Sequence, residues 1–260
     1  MYHLQLMGSS PWALLTSLGA MTAVIMLVFK DTILGFVASI QIAAYDMVRK
    51  GDWIEMPKYG ADGDVIDISI NTVKVQNWDK TITSLPTYSL ISDSFKNWRG
   101  MSEGDGRRIK RSVIVDMNTI KFCDEAMVQK FSNIGLIKDY MATKSKEIEA
   151  YNKDNSIDKT QIINGRHLTN LGTYREYIKA YLKSNPQINR NMTFLVRQLA
   201  SSEKGLPIEI YIFSSDKNWV NYEAIQADIF DHLLAAASEF GLKVFQSPSG
   251  NDLVKLKKAS

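Results

Sequence analysis

Charge is missing from one end of this 260-residue chain, since no Asp, Glu, Lys or Arg precedes Lys30. From Lys30 onward acids and bases are mixed, and the whole chain carries a formal net charge of +3. The N-terminal segment therefore has the composition of a lipid-facing segment, whereas the remainder has that of a water-soluble protein. A net charge this small predicts no strong field for binding polyanions such as nucleic acids.

The residues of common catalytic and metal sites are also scarce. The one cysteine, Cys123, excludes an internal disulfide and any CxxC pair. The three histidines, His3, His167 and His232, are far apart in the sequence and lack metal-ligand spacing. Phosphate-binding glycine loops and serine-nucleophile motifs are absent as well. The sequence therefore predicts neither an enzyme nor a bound cofactor or metal.

The uncharged segment is long enough to cross a membrane. As a helix rising about 1.5 Å per residue, Pro11–Phe29 would span most of a hydrocarbon core of about 30 Å. Lys30, Arg49, Lys50 and Lys58 follow it, which predicts a cytoplasmic C-terminal part. A signal peptide is less favoured, because no basic stretch precedes the run and no small-residue cleavage site follows it. A buried core helix is the other alternative and would need a large partner surface.

A helix over this segment has two unlike faces, one of small and one of bulky side chains. Because small residues let membrane helices approach closely, the small stripe is expected to face copies of the same chain around a central hole. A single-pass anchor, in which the small residues have no role, is the alternative. The small stripe consists of Ala13, Thr16, Ser17, Ala20, Ala23, Val24 and Leu27, and the bulky face of Leu14, Leu15, Leu18, Met21, Ile25 and Phe29.

The apolar run is interrupted at Lys30-Asp31-Thr32, where Asp31 or Thr32 could cap a new helix. Residues 31–50 then show helical spacing of apolar side chains, which predicts an amphipathic helix on the membrane surface, joined to the first by a bend. One continuous helix is the alternative, because neither Pro nor Gly lies at the break. The apolar positions are Ile33, Phe36, Val37, Ile40, Ala44, Met47 and Val48.

Short strand patterns separated by turn signals occupy residues 51–101. Trp78–Thr81 has the composition of a hairpin turn, and Pro86 ends the last strand. Several strands in about fifty residues predict a small barrel, closed or nearly closed. The predicted strands are Trp53–Met56, Val65–Ile70, Val73–Gln76 and Thr81–Leu85.

Residues 102–250 mix strands and helices in an order that predicts the split βαβ arrangement. The polar excursion 138–191 is predicted to be an insertion, with an exposed helical arm or flexible loop at its charged front, 144–159, and a helix at Thr173–Leu182. Residues 251–260 form a basic tail. The predicted strands and helices of the arrangement are Ser112–Val115, Asp124–Phe131, Met192–Arg197, Ile208–Phe213, Trp219–Phe240 and Val244-Phe245.

The order of these elements resembles the small-conductance mechanosensitive channel family. Gly51-Asp52-Trp53-Ile54 opens the barrel as in that family. Asp62-Gly63-Asp64-Val65 and Leu85-Pro86 lie where the family has glycine-valine and isoleucine-proline signals. The resemblance covers nearly all residues from Leu14 to Gly250. The stretches most similar to the miniconductance branch are Thr169–Gly172, Tyr177–Leu182, Leu195–Leu199 and Tyr222–His232.

The resemblance implies a homoheptamer in a bacterial inner membrane, opened by membrane tension under osmotic stress, with membrane lipid and permeating ions as further partners. It implies a membrane protein of mixed α and β class. A pore-lining helix over residues 1–30 would bend into an interfacial helix, followed by an Sm-like β-barrel and a ferredoxin-like domain. The expected pore-lining residues are Ala20, Ala23, Leu27 and Lys30, and the expected hinge residues are Lys30, Asp31 and Gly35.

The chain departs from the family pattern in three ways. Ala23 is smaller than the leucine expected at the first narrowing ring, so Phe29 could narrow the path instead if the helix is rotated. Phe29-Lys30-Asp31 stands near the bend where the family has glycine, which predicts a stiffer hinge. Family members also have membrane helices before the pore helix, so the chain is expected to be a fragment of a longer channel.

Two other functions are weighed against a tension-gated channel. A membrane-anchored scaffold would use the charged excursion 138–191 to bind a cytoplasmic partner. RNA binding would use Trp53, Trp78 and Trp98 as stacking platforms. Aromatic residues in a small barrel are usually core, however, and no basic stripe accompanies these three. The sequence therefore favours the channel and predicts no nucleic-acid partner.

Overall fold

The computed structural model describes residues 11–158 and 160–248, so the predicted basic tail 251–260 lies outside the described residues. The chain divides into two compact units, Met1–Glu103 and Gly104–Ser260. The first unit holds one long helix and a β-sheet, and the second holds a smaller sheet with several helices. Each unit has a hydrophobic core of its own.

One antiparallel sheet organises the first unit, with its strands in the order β4-β3-β2-β1-β5. The four longer strands follow one another as a meander, and the two-residue β5 adds to the free edge of β1. The helices are α1 (Pro11–Ala44), α2 (Ser89–Ser92) and α3 (Arg99–Glu103), and the strands are β1 (Trp53–Met56), β2 (Ala61–Ile68), β3 (Thr72–Asn77), β4 (Ile82–Pro86) and β5 (Lys96–Asn97).

The strand β2 begins earlier than the sequence predicts. Its predicted start was Val65, because Asp62-Gly63-Asp64 has the composition of a turn, yet the strand starts at Ala61. Ala61, Gly63 and Val65 are buried, while Asp62 and Asp64 are exposed. The segment therefore does alternate with the strand period, but with small inward residues that the apolar pattern does not reveal.

The hairpin between β3 and β4 lies where the sequence predicts it. The backbone N–H of Asn77 donates to the carbonyl of Thr81 at 2.8 Å, and Lys80 adopts a positive φ of 72° in the turn. Apolar side chains from β1 to β4 then converge on one core. This core contains Ile42, Val48, Ile54, Met56, Ala61, Val65, Val73, Val75, Leu85 and Leu90.

The prediction of two N-terminal helices joined by a bend is wrong, because the structure has one helix there. The helix α1 continues without interruption through Lys30, Asp31 and Gly35 and ends at Ala44, not at residue 50. Lys30, Asp31 and Thr32 all have backbone N–H groups and can join the helical ladder, so a polar interruption of the apolar run does not itself break the helix. The continuous helix, the alternative considered above, is the one observed.

The second unit contains a three-stranded antiparallel sheet in the order β6-β8-β7. An isolated antiparallel bridge joins Val115, at the end of β6, to Val244. The strands are β6 (Arg107–Val115), β7 (Leu195–Gln198) and β8 (Leu206–Ser214), and the helices are α4 (Glu125–Ser132), α5 (Lys138–Asp154), α6 (Asn170–Ser184) and α7 (Trp219–Ala237).

The predicted insertion 138–191 is not a separate appendage, because α6 belongs to the core. Tyr174, Ile178 and Leu182 recur at helical spacing and have no exposed side-chain surface. The Tyr174 hydroxyl donates to the carbonyl of Leu233 in α7 at 2.5 Å, which ties the two long helices together. The predicted first helix, Asp124–Phe131, corresponds to the short α4, so α6 is the main helix between β6 and β7.

The charged front of the excursion forms the helix α5. Met141 is fully buried in it, and Asn152 is also buried, whereas the lysines and glutamates between them are mostly exposed. The sequence therefore predicted the helical arm and its exposed face but missed its anchors in the core. After α7, Gly241 follows the helical turn Ser238–Phe240 and adopts a φ of 67°, the left-handed conformation that commonly caps the C-terminus of a helix.

The buried position of Ile178 makes the structural role of α6 testable. We expect Ile178→Ala to lower the free energy of unfolding by about 2–5 kcal/mol, because it removes buried methylene groups and leaves a cavity. Ile163→Ala is the matched control, since Ile163 is 76% exposed. Thermal or denaturant unfolding of the full chain in detergent measures both. Equal stabilities of the two variants would show that α6 is a peripheral insertion.

Candidate pore helix and its attachment to the sheet

The helix α1 is the one helix in the described part of the chain that is long and apolar enough to cross a membrane. Within the qualifying segment, Trp12–Ala44, the 18-residue window that meets the test has a mean hydropathy of 2.0 and no side chains buried within the chain. Every residue from Trp12 to Leu34 is exposed. Nothing in the described chain covers this surface, so lipid or other chains have to cover it.

The predicted pore-lining residues share one face of α1. At about 100° per residue, Ala20, Ala23, Leu27 and Lys30 lie within about 80° of one another on the helical wheel. All four are exposed, and Leu27 retains 74% of its surface. The structure therefore arranges them as one stripe along the helix. What the stripe faces in an assembly remains a prediction.

The last turns of α1 pack against the five-stranded sheet and the connections of its strands. Gly35, Ala38 and Ile42 are buried at helical spacing, and Ile42 joins the core of the first unit. These three lie on the wheel next to the pore-lining stripe, at most about 60° beyond it. One broad side of the helix thus carries the small-residue stripe in its first half and the contact with the sheet in its second.

The predicted apolar face of residues 31–50 is divided between two environments. Ile33, Phe36, Val37 and Ile40 are exposed, on the side of α1 away from the sheet. Val48 lies beyond the end of the helix and is buried in the core of the first unit, against which Met47 packs. The exposed four remain available to a membrane. The prediction that Met47 and Val48 share their apolar helix face is wrong, because the helix has already ended.

Gly35 lies where α1 comes closest to the β2–β3 turn. A Cβ atom on Gly35 would lie 2.5 Å from Oδ1 of Asn71 and 2.9 Å from the backbone oxygen of Ile70. Such distances are too short for any side chain, so this contact requires glycine. Gly35 has ordinary helical structure in α1. Its role as a hinge stays a prediction, and its role in close packing is an observation.

After α1 the chain turns sharply, and an ion-pair cluster fixes the turn. Asp46 adopts a positive φ of 51° and accepts from Nε of Arg49 at 2.6 Å. Arg99 reaches the same turn from α3 and bonds the carbonyl of Asp46 at 3.1 Å. Arg99 also binds the carboxylate of Asp52, with Nε 2.9 Å from Oδ1. One guanidinium thus joins the end of the helix to the start of β1.

Asp52 is the buried centre of this cluster and is only 8% exposed. Burial raises the pKa of its carboxyl, but the bonds from Arg99, the Arg49 backbone N–H and Asn97 outweigh it, so the pKa lies below its ordinary value. Because the pKa of Asp52 is lower in the folded state, the pairing stabilises the fold at pH values above the ordinary carboxyl pKa. That contribution is lost as the pH falls through the lowered pKa.

Three tryptophans pack together on the sheet beside this cluster. The rings of Trp53 and Trp98 stack with centroids 4.7 Å apart, and Trp78 meets Trp53 edge-on at 5.1 Å. The indole N–H groups of Trp53 and Trp78 both donate to Oδ1 of Asp62, at 2.8 and 3.2 Å. The rings of Trp53 and Trp98 thus cover one another, but none of the three side chains is buried in the core, and Trp78 is 39% exposed.

Sequence reasoning missed the attachment site. Arg99 and Asp52 are 47 positions apart, and neither stands in a pattern that predicts their contact. The signal that could have indicated it is the Gly51-Asp52 pair directly after the helix, since a carboxylate at the start of a strand is unusual unless it has a partner. Gly35 was predicted as a functional residue, although for flexibility rather than for close approach.

Residues 31–100 match the family model described as the β-domain of mechanosensitive ion channels. The small-conductance mechanosensitive channel MscMJ of Methanocaldococcus jannaschii is 29% identical over 107 residues, which cover 41% of this chain and 29% of that protein. An uncharacterized MscS family protein of Helicobacter pylori is 22% identical over 251 residues, which cover 95% of this chain and 36% of that protein.

Residues 31–100 thus carry the β-domain of mechanosensitive ion channels, and nearly the whole chain is similar to an MscS family protein. The matched region includes residues 31–44 of α1, so the end of the helix and the sheet match the family model together. The chain spans 29–46% of the length of the curated relatives described here and one of Aquifex aeolicus. These relatives are therefore considerably longer than the present chain.

Solved structures of MscS-type proteins share the fold of this chain. The closed-state crystal structure of Helicobacter pylori MscS superimposes with a TM-score of 0.59 at 15% identity, covering 95% of this chain and 75% of that one. The cryo-EM structure of Arabidopsis thaliana MSL1 gives a TM-score of 0.61 at 13% identity, covering 92% and 68%. At such identities the likeness concerns the fold alone.

The Gly35 contact gives a test in which two glycines of the same helix should behave oppositely. Gly35→Ala should lower the free energy of unfolding by about 1–3 kcal/mol, because the methyl group overpacks the contact with the β2–β3 turn. Gly19→Ala is the matched control, since a Cβ there meets no atom of the chain within 4 Å. It should stabilise the helix by about 0.5–1 kcal/mol.

Thermal unfolding of the full chain in detergent measures both variants. Asn71→Ala in the Gly35→Ala background should recover part of the loss, because it removes the nearer of the two clashing oxygens. If Gly35→Ala were as stable as Gly19→Ala, the observed close contact would have no structural role, and the hinge interpretation of Gly35 would be favoured.

Proposed function

We propose that this chain forms the pore and cytoplasmic part of a mechanosensitive ion channel of the bacterial inner membrane, opened by membrane tension during osmotic stress. The observation that carries the proposal is α1: an exposed apolar helix with a stripe of small residues, joined directly to the family's β-domain. The proposal assigns the chain no catalytic activity. The stretches quoted above favour the miniconductance branch of the family.

The proposed assembly is a homoheptamer, in which the stripe of Ala20, Ala23, Leu27 and Lys30 lines the pore. Small side chains permit close packing of α1 against its copies, and the opposite bulky face would contact lipid. Leu27 would form the apolar constriction, since the ring at Ala23 is wider. An apolar ring of this kind blocks ions by losing its water until it widens.

The soluble units are proposed to form the cytoplasmic part, as the basic residues after the membrane segment favour. The five-stranded meander would be the Sm-like β-barrel of the family. We assign the second unit to the ferredoxin-like arrangement, with β6, β7, β8 and the Val244 bridge as its four strand positions. The bridge on the outer side of β6 supports this assignment, because it gives the sheet order 4-1-3-2.

Gating in this scheme is a shift between states of different membrane area. Tension favours the state in which α1 tilts outward and the Leu27 ring widens. The sheet must follow or resist this movement, because Gly35 packs on the β2–β3 turn and Arg99 bonds the turn after the helix. Lys30 at the cytoplasmic end of the stripe is placed to interact with permeating ions.

A scaffold function of residues 138–191 is not favoured. The helix α6 supplies fully buried side chains to the core of the second unit, so much of the proposed partner-binding excursion is needed for folding. Its charged front, α5, is exposed along one side, as solvated helices ordinarily are.

The constriction can be tested by making it polar. Leu27→Asn should lower the tension needed for opening, because a polar ring stays hydrated at a narrower diameter. Ile25→Asn is the matched control, since it makes the same change in polarity on the opposite face of α1 and should not hydrate the pore. Single-channel recording from tensed patches of the complete protein measures the opening threshold.

Two results would contradict the proposal. One is the absence of openings at every tension short of patch rupture in a protein that is demonstrably inserted. The other is an equal change of threshold in Leu27→Asn and Ile25→Asn, because the pore would then not be lined by the small-residue stripe.

A further inference from the structure

A cavity of about 160 Å³ lies between α5 and the first turn of α6. Since a water molecule takes roughly 30 Å³ in the liquid, the cavity has room for several waters or for one small anion. Its lining includes Lys144, Arg166 and His167, together with the hydroxyls of Thr169 and Thr173, and contains no Asp or Glu. The cavity is therefore polar and has positive charge on one side.

One carboxylate beside the cavity, that of Glu147, forms ion pairs with two cationic side chains. Glu147 accepts from Nζ of Lys144 at 2.8 Å and lies 3.1 Å from Nη1 of Arg166. A single negative charge cannot neutralise both, so a positive excess remains at the cavity. All three side chains are partly exposed, which leaves them free to rearrange around a bound anion. Glu176, the other nearby acid, is bonded to Lys179 at 2.8 Å.

The backbone that carries Arg166 is held rigidly by a buried amide. Oδ1 of Asn152 accepts from the backbone N–H of Arg166 at 2.8 Å, and Nδ2 of Asn152 donates to the Arg166 carbonyl at 2.9 Å. Asn152 is only 5% exposed. Because the buried Asn152 side chain bonds both backbone groups of Arg166, it fixes the backbone position from which the Arg166 side chain extends beside the cavity. Preorganisation of this kind lowers the entropic cost of binding.

A ligand in this cavity would have to be bound by side chains, because backbone N–H groups in the first turn of α6 are already bonded within the chain. The backbone N–H of Leu171 is taken by Asn170 at 2.9 Å, and that of Gly172 by the hydroxyl of Thr169 at 3.1 Å. The cationic side chains that line the cavity are Lys144 and Arg166, and both are paired with the one carboxylate of Glu147. Arginine and lysine side chains together are the usual partners of phosphate oxygens in proteins.

We propose that this cavity binds a phosphate group, held by Lys144 and Arg166, with Glu147 as the competing anion within the chain. Phosphate suits the site because its several oxygens can accept from both cations and from the Thr169 hydroxyl at once, whereas the Thr173 hydroxyl already donates to the carbonyl of Thr169 at 2.9 Å. The group could be inorganic phosphate or the head of a small phosphomonoester, and the two are separated by experiment. The proposal does not depend on channel activity.

Calorimetric titration of the detergent-purified full chain, at constant ionic strength in chloride buffer, tests the proposal with inorganic phosphate and with glycerol phosphate. Saturable binding of one or both is expected, and the tighter ligand identifies the source of the group. Arg166→Gln and Lys144→Gln should each weaken binding roughly five- to ten-fold, the loss expected for one charge-assisted contact. Glu147→Gln should tighten binding several-fold, because it frees both cations.

Lys146→Gln is the matched control, since Lys146 is an exposed lysine of α5 that does not line the cavity, and it should leave the affinity unchanged. Arg166→Lys keeps the charge and guards against a folding defect in Arg166→Gln; it should bind with intermediate affinity. The absence of saturable binding with both ligands would overturn the proposal. So would equal affinities in all variants, or weaker binding in Glu147→Gln.

Discussion

The uncovered apolar surface of α1 is the constraint on which the rest of the molecule depends. Every residue from Trp12 to Leu34 is exposed within the chain, and the first charge enters only at Lys30. Such a surface cannot remain in water, and the cores of the two soluble units do not use it. Lipid can cover the bulky side, but the stripe of small residues is better suited to another helix. The proposed membrane insertion and the proposed self-assembly therefore rest on one property.

The attachment of α1 to the sheet is the link through which the proposed movement of the helix would reach the sheet. Gly35 permits the helix to touch the β2–β3 turn, and Arg99 joins the turn after the helix to Asp52 at the start of β1. The contact at Gly35 is closely packed, and the contacts of Arg99 are short hydrogen bonds. Both therefore resist gradual deformation of the joint between α1 and the sheet. A tilt of α1 therefore has to displace the sheet or break these contacts, which is the behaviour of a coupled two-state element.

The sequence predicted local features well and distant contacts poorly. Strands such as Trp53–Met56 and Thr72–Asn77 follow from alternation within a few residues, and the shared helix face of Ala20, Ala23, Leu27 and Lys30 follows from helical spacing. The continuous α1 was not favoured, because the polarity at Lys30-Asp31 resembles a helix end. The core role of α6 has a local signal in the helical spacing of Tyr174, Ile178 and Leu182, but the partner of that face, and the pairing of Arg99 with Asp52, depend on residues brought together only by folding.

Cysteine crosslinking tests the central claim, that copies of α1 meet along the small-residue stripe. Cysteine would replace Ala23 on the stripe or Leu18 on the bulky face, in a Cys123→Ala background. After oxidation in native membranes, the cysteine at Ala23 should join neighbouring protomers into disulfide-linked dimers, whereas that at Leu18 should leave monomers. Monomers only from the Ala23 position, or dimers only from the Leu18 position, would contradict the account.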